Sequence, residues 1–74
     1  MFVSYKNIDG DSNVESYEIG VDYIAVKFYK TSKIYVYSYH SAGRENVETM
    51  KKFAVSGDGL NAYINLNCRN LYER

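Results

Sequence analysis

The chain has 74 residues, hydrophobic residues at 46% of its positions and a formal net charge of zero at pH 7. A domain this short buries only about 60% of its unfolded surface, which leaves little room for an enclosed catalytic cavity. Because no apolar run approaches the roughly 18 residues of a membrane span, we expect one small domain that is not associated with a membrane.

The chain contains one cysteine, Cys68, and its N-terminus lacks the basic segment and apolar run of a signal peptide. A lone cysteine cannot form an internal disulfide, which is typical of proteins in a reducing compartment. We therefore predict a cytoplasmic location.

Charge is distributed unevenly along the chain. Residues 1–22 carry five acidic side chains against Lys6 alone, a net charge of minus four, and residues 23–74 carry eight basic against four acidic side chains, a net charge of plus four. The sequence pI of about 6.5 is well below the value of roughly 9 that marks strongly basic nucleic-acid-binding domains. The distribution permits one basic face and argues against non-specific binding driven by net charge.

Two short strands are predicted before residue 20, over residues 1–6 and 13–19. Between them, oxygen-bearing side chains at alternate positions imitate the start of an EF-hand calcium loop: Asp9, Asp11, Asn13 and Glu15. The sixth position of that loop is Val14 instead of glycine, and the twelfth is Gly20 instead of a bidentate glutamate. A solvated acidic turn is the better interpretation, and we expect no metal site.

Residues 23–39 are predicted to form a β-hairpin. Ile24, Val26 and Phe28 occupy alternate positions of the first run, and three tyrosines do so in the second, Tyr35, Tyr37 and Tyr39. A loop of two or four residues within 30–33 places Phe28 opposite Tyr35 and puts all six side chains on one face, whereas a three- or five-residue loop reverses the tyrosines. The register therefore decides whether the tyrosines belong to the core or to the surface.

The hairpin also provides the candidate binding residues. Lysines at its tip and on its strands could contact phosphates while tyrosine rings stack on unpaired bases. The candidate nucleic-acid-binding residues are Lys27, Tyr29, Lys33, Tyr37 and Arg69. The alternative for the strand tyrosines is that they bury their rings in or beside the core and keep only the hydroxyl in water.

After a break at residues 40–43, residues 44–55 are predicted to be a helix. Val47, Met50, Phe53 and Ala54 line one face of it, and Gly57 ends it. A second helix beginning at Asp58 or Gly59 would align four apolar positions, Leu60, Tyr63, Ile64 and Leu71. The competing interpretation is a strand through Ile64, Leu66 and Cys68, because three asparagines within residues 61–67 disfavour a helix.

Catalytic and cofactor-binding residues are not evident. His40 and Cys68 are each the only residue of their type, whereas a zinc site needs about four ligands and a nucleophilic pair needs an orienting third group. We interpret Cys68 as a small buried side chain and His40 as a loop residue, and predict a protein that is not an enzyme and has no cofactor.

Several stretches carry a family resemblance: the segment YIAVKF, the centre Tyr35-Val36-Tyr37, and the later AVSGDGLNAYI. With Ser12-Asn13-Val14 and Ser16-Tyr17 before them, they resemble the KTSC domain, a small domain named for the C-terminus of some lysyl-tRNA synthetases, over residues 12–74. Three positions depart from the family pattern. Leu60 replaces an aromatic residue, Asn65 replaces an arginine, and no proline follows the tyrosine strand. The resemblance implies RNA binding, by association with the synthetase.

Together these patterns predict an α+β fold, in which an antiparallel meander of three or four strands packs against one or two C-terminal helices. The predicted function is non-catalytic binding of RNA or of another single-stranded nucleic acid. The alternative is a protein interaction module or a small homo-oligomer, because small cores gain stability from association and tyrosine is enriched at interfaces.

Overall fold

A four-stranded antiparallel sheet forms the first half of the computed structural model, which describes residues 1–8, 10 and 12–73. The strands are β1 (Val3–Ser4), β2 (Val14–Ile19), β3 (Tyr23–Phe28) and β4 (Ile34–Ser38), in the spatial order β1-β2-β3-β4. Each strand pairs with the next one along the chain, so the sheet is a meander. Helices follow it, and the predicted α+β class is confirmed.

The register of the β3–β4 hairpin places Tyr37 opposite Ile24 and Tyr35 opposite Val26. The structure therefore adopts the alternative in which Tyr35 and Tyr37 share a face with Ile24 and Val26. The pairing is displaced by two residues from the one expected for that alternative, but side chains alternate with a period of two, so the shared face is unchanged. Tyr37 is only 2% exposed and belongs to the core. Tyr39 differs from the prediction, because it leaves the strand and begins a helix.

Three helices follow, α1 (Tyr39–Ala42), α2 (Arg44–Ser56) and α3 (Leu60–Tyr63), and a π-helical turn, Ile64–Cys68, continues α3. The helix predicted over residues 44–55 is confirmed and is one residue longer. Helix α1 occupies the segment predicted as a break. Its start is stabilised by a capping box, in which Ser38 Oγ accepts from the Ser41 N–H and Ser41 Oγ accepts from the Ser38 N–H.

The C-terminal segment is helical and not a strand. A strand would put Ile64, Leu66 and Cys68 on one face, but Ile64 and Cys68 are buried while Leu66 is 82% exposed. Residues four apart meet on one side of a helix, and the residue between them points away. The helical alternative of the sequence is therefore the one that the structure adopts.

The helices cover one face of the sheet and enclose the core there. Its fully buried large side chains come from the sheet, from α2 and from the C-terminal segment: Val14, Ile24, Val26, Tyr37, Val47, Met50, Leu60 and Cys68. Within the described part of the chain, every helix is too short or too polar to cross a lipid bilayer. Asp9 and Asp11 of the acidic turn, and Arg74, lie outside the described residues.

Candidate nucleic-acid interface

An open groove of about 380 Å³ lies between the tip of the β3–β4 hairpin and the C-terminal helical segment. Phe28, Thr31 and Tyr35 line it from the hairpin. Ile64, at the start of the π-helical turn, lines it from the opposite side. Because the two sides come from distant parts of the chain, the groove is created by the packing of the helical segment on the sheet.

Aromatic rings form much of the groove. Tyr35 lies at the centre of an edge-to-face cluster, with ring centroids 5.6 Å from Phe28 and 4.8 Å from Tyr72. The ring centroids of Tyr72 and Tyr37 lie 6.3 Å apart, also edge to face. Tyr37 is buried, whereas Phe28, Tyr35 and Tyr72 are partly exposed. These three rings therefore offer apolar surface to a ligand, and their edge-to-face packing holds them in place.

The polar part of the lining consists mainly of amides. Four asparagines contribute, Asn13, Asn61, Asn65 and Asn70, together with the guanidinium group of Arg69. Residues at a spacing of four drift around an α-helix, because its repeat is 3.6 residues. The wider π-helical turn compensates for that drift, so Asn61, Asn65 and Arg69 all reach the groove.

The electrostatics of this region are positive. Arg69 is the only charged residue among the described residues that line the groove. Lys30 and Lys33 flank Thr31 in the hairpin loop, and both are exposed. Within the described part of the chain, none of these three cations forms an ion pair. They are therefore available to an anionic ligand.

Four of the five predicted binding residues lie in the groove or in the loop beside it, and one lies elsewhere. Arg69 and Tyr37 both line the groove, although Tyr37 is buried, and Lys33 lies in the loop beside it. Tyr29, in the same loop, is 59% exposed. Lys27 alternates with Phe28, projects from the opposite face of the sheet, and forms an ion pair with Glu15 at 2.9 Å.

The sequence analysis does not predict the asparagines as binding residues, because asparagine in residues 61–67 indicates only a weak helix propensity. The spacing of Asn61, Asn65 and Arg69 contained the signal, since residues four apart share one helix face. A helical projection of this segment has a polar stripe beside the apolar one. The projection alone does not show that the polar stripe faces the tyrosine strand.

A second polar cluster lies on the other side of the molecule, around Tyr39. Its hydroxyl donates to Glu48 Oε2 at 2.6 Å, and Lys51 Nζ contacts the same oxygen at 2.8 Å. Hydrogen bonding to Lys51 and Tyr39 lowers the pKa of Glu48, and the Glu48 carboxylate raises the pKa of Tyr39. Arg44 and Lys51 also approach the Tyr39 ring, so the cluster is internally compensated.

The one cysteine and the one histidine lie in different environments. Cys68 is buried, as predicted, and burial raises the pKa of its thiol, which opposes formation of the reactive thiolate. His40 lies in α1 instead of a loop and is exposed. Across the described residues, no group of three or more histidine, cysteine, aspartate or glutamate side chains could hold a metal ion.

Fold and groove together define a small α+β domain with an open surface groove lined by aromatic rings and amides. No protein-family model, curated protein or solved structure matches the chain.

Proposed function

We propose that this protein is a non-catalytic module that binds single-stranded nucleic acid, RNA in particular. The observation that carries the proposal is the groove of partly exposed aromatic rings and amides beside three cations that form no ion pair with any described residue, Lys30, Lys33 and Arg69. We place its activity in the cytoplasm, because its one cysteine is unpaired.

The chemistry of the groove suits an unpaired strand better than a duplex. Single-stranded sites combine a positive surface that follows the backbone with aromatic side chains on which bases stack, each stacked base contributing roughly 1–3 kcal/mol. The exposed ring of Tyr29 adds a stacking surface outside the groove. The resemblance to the KTSC domain supports the same proposal, through that family's association with a tRNA synthetase.

The direct test is fluorescence anisotropy with labelled single-stranded RNA, single-stranded DNA and double-stranded RNA, measured as a function of salt. If Lys30, Lys33 and Arg69 each neutralise one phosphate, the logarithm of the binding constant should fall with the logarithm of salt concentration with a slope of about −2. Single strands should bind more tightly than the duplex. Absence of binding to every oligonucleotide at low salt would refute the proposal.

A matched pair of substitutions locates the interaction. We expect Lys33→Gln to weaken binding and to make the salt slope shallower by about 0.7, because one phosphate contact is lost. Lys52→Gln removes an equally exposed cation from α2 and should leave the slope unchanged. Lys27→Gln should have a smaller effect than Lys33→Gln, since Lys27 is already paired with Glu15.

A second candidate function, self-association or binding to a protein partner, is favoured by the β1 edge of the sheet. This edge strand has only two residues, and Met1, Phe2 and Val3 beside it or in it are exposed. An open edge can pair with a strand of another chain. The opposite edge is partly covered, because the Glu73 N–H donates to the Val36 carbonyl at 2.7 Å.

Sedimentation velocity over a range of concentrations tests the self-association. A dimer formed through β1 should dissociate on Ser4→Pro, which removes a donor from the free edge, because Tyr5, and by alternation Val3, directs its N–H to β2. A species that stays monomeric at every concentration would exclude the dimer. Oligonucleotide binding by that monomer would then leave nucleic-acid binding as the function.

A further inference from the structure

We infer that the groove is a subsite for one unpaired nucleotide, in which the base lies against the aromatic rings and the amides while Arg69 contacts its phosphate. This inference rests on the proposed function and deepens it. In this arrangement the groove binds one base selectively. Lys30 and Lys33 in the loop contact the phosphate backbone of the rest of the strand.

The dimensions of the groove favour a single nucleotide. Its volume of about 380 Å³ is at the lower end of the roughly 300–1,000 Å³ range of small-molecule sites. The groove is bounded by the hairpin on one side and by the helical segment on the other. A base paired within a duplex is stacked on both faces, so only a base splayed out of a strand, a loop or an end could enter.

The lining matches both ends of a nucleotide. Ring surface from Phe28, Tyr35 and Tyr72 suits the face of a base, and the edge-to-face packing of these rings holds them in place. Each asparagine amide both donates and accepts, as the edge of every base does. Arg69 presents a planar set of donors that fits a phosphate and cannot lose its charge at physiological pH.

The backbone supports the same assignment. The π-helical turn Ile64–Cys68 provides Asn65 and immediately precedes Arg69. Such turns are rare, and they occur frequently at functional sites. Here the turn brings the Arg69 guanidinium and the amides of Asn61 and Asn65 to the same wall of the groove. No carboxylate among the described lining residues opposes a phosphate there.

The experiment uses the whole chain and two readouts. Anisotropy measures binding of a labelled single-stranded RNA to the wild type and to four variants, and ¹H–¹⁵N correlation spectra record titrations with AMP, adenosine and ribose 5-phosphate. Asn65→Ala and Arg69→Gln each change a residue that lines the groove. Asn67→Ala and Lys52→Gln are the matched controls, because Asn67 is exposed on the same turn but does not line the groove.

We expect Asn65→Ala to weaken RNA binding about fivefold, as the loss of one hydrogen bond predicts. For Arg69→Gln we expect about tenfold, because hydrogen bonds to charged groups are stronger. Neither control should change the affinity. AMP should shift the side-chain amide signals of Asn61 and Asn65 at lower concentration than adenosine or ribose 5-phosphate does, since only AMP engages both ends of the subsite.

The outcomes separate the two proposals. If RNA binds but Asn65→Ala behaves like Asn67→Ala, the subsite is wrong and the proposed function stands. If ribose 5-phosphate acts as well as AMP, the groove binds phosphate alone and recognition of the base is refuted. If AMP shifts the groove amides but no oligonucleotide binds, the groove is a nucleotide site and the proposed function is refuted.

Discussion

Gly57 shows how a single residue connects two distant segments. It ends α2 with a φ of 80°, and its N–H donates to the carbonyl groups of Phe53 and Ala54. A methyl group at this position would lie 2.5 Å from Lys6 Cβ, in the segment that follows β1. Glycine is therefore required by backbone conformation and by the close approach of the N-terminal segment.

We expect Gly57→Ala to lower the free energy of unfolding by more than the roughly 1–2 kcal/mol that a left-handed conformation costs an alanine. Gly10→Ala is the control, because Gly10 also has a positive φ, 75°, but no other described residue comes within 4 Å of the added methyl group. Urea unfolding monitored by circular dichroism measures both variants. Equal losses would show that the contact with Lys6 has no effect on stability.

At the scale of the element, helix α2 determines whether the sheet has a covered face. It buries Val47, Met50 and Ala54 against the sheet and the C-terminal segment, and leaves Val55 exposed. The burial follows the helical period that the sequence displays. Most of the stability of such a helix comes from this packing and not from its intrinsic propensity.

Truncation of the buried side of α2 should therefore destabilise the protein, whereas truncation of the exposed side should not. We expect Met50→Ala to cost about 2–5 kcal/mol of unfolding free energy, through lost burial and a residual cavity. Val55→Ala should stay within about 0.5 kcal/mol of the wild type. Urea denaturation compares the two, and a small effect of Met50→Ala would mean that α2 does not contribute to the cooperative core.

For the whole molecule, the titration of Tyr23, Tyr37, Tyr39 and Cys68 couples stability to alkaline pH. Burial raises the pKa of Tyr37 and of Cys68, while hydrogen bonds to Glu18 and Glu48 raise the pKa values of Tyr23 and Tyr39. All four groups keep their protons more firmly in the folded state. Above a pH of about 9–10 the unfolded chain binds fewer protons, so stability must fall as the pH rises.

We expect the free energy of unfolding not to vary with the titration of these groups at neutral pH. It should begin to fall near pH 8.5–9, about where cysteine ionises in the unfolded chain, and fall more steeply above about pH 10, where tyrosine ionises. Tyr37→Phe should make that decrease shallower, because it removes one of the protons that couple folding to pH. Urea unfolding at a series of alkaline pH values measures the slope. An unchanged slope would show that Tyr37 does not contribute to the coupling.

At acidic pH the dependence of stability on pH has the opposite sign, because stability falls as the pH is lowered. The N-terminal ammonium group, followed by Tyr23, lowers the pKa of Glu18, and Lys51, followed by Tyr39, lowers that of Glu48. The stability that these carboxylates contribute is present above the pKa of an unfolded glutamate, about 4.3, and is lost as the pH falls below it. Both carboxylates are partly exposed to solvent, so their contribution should be small and should weaken with added salt.

Much of the fold could be predicted because its signals are local. The period of two in residues 23–28 and 34–38, the helical period of α2 and the glycine at its end each depend on neighbouring residues. The start of α1 was missed, since the capping box at Ser38 and Ser41 overrides the strand pattern that ends in Tyr39. A local hydrogen-bond pair there competes with extension of the strand.

The sequence by itself determined the strand character of β3 and β4, the helix α2 with the glycine that ends it, and the burial of Cys68. The face on which Tyr35 and Tyr37 lie depends on the pairing register. Only the tertiary structure decided the pairing register, the helical form of the C-terminal segment and the groove itself. The physical reason is that the groove depends on contacts between the hairpin and a segment about thirty residues further on. Such contacts depend on how whole elements pack, and local periodicity carries no information about that.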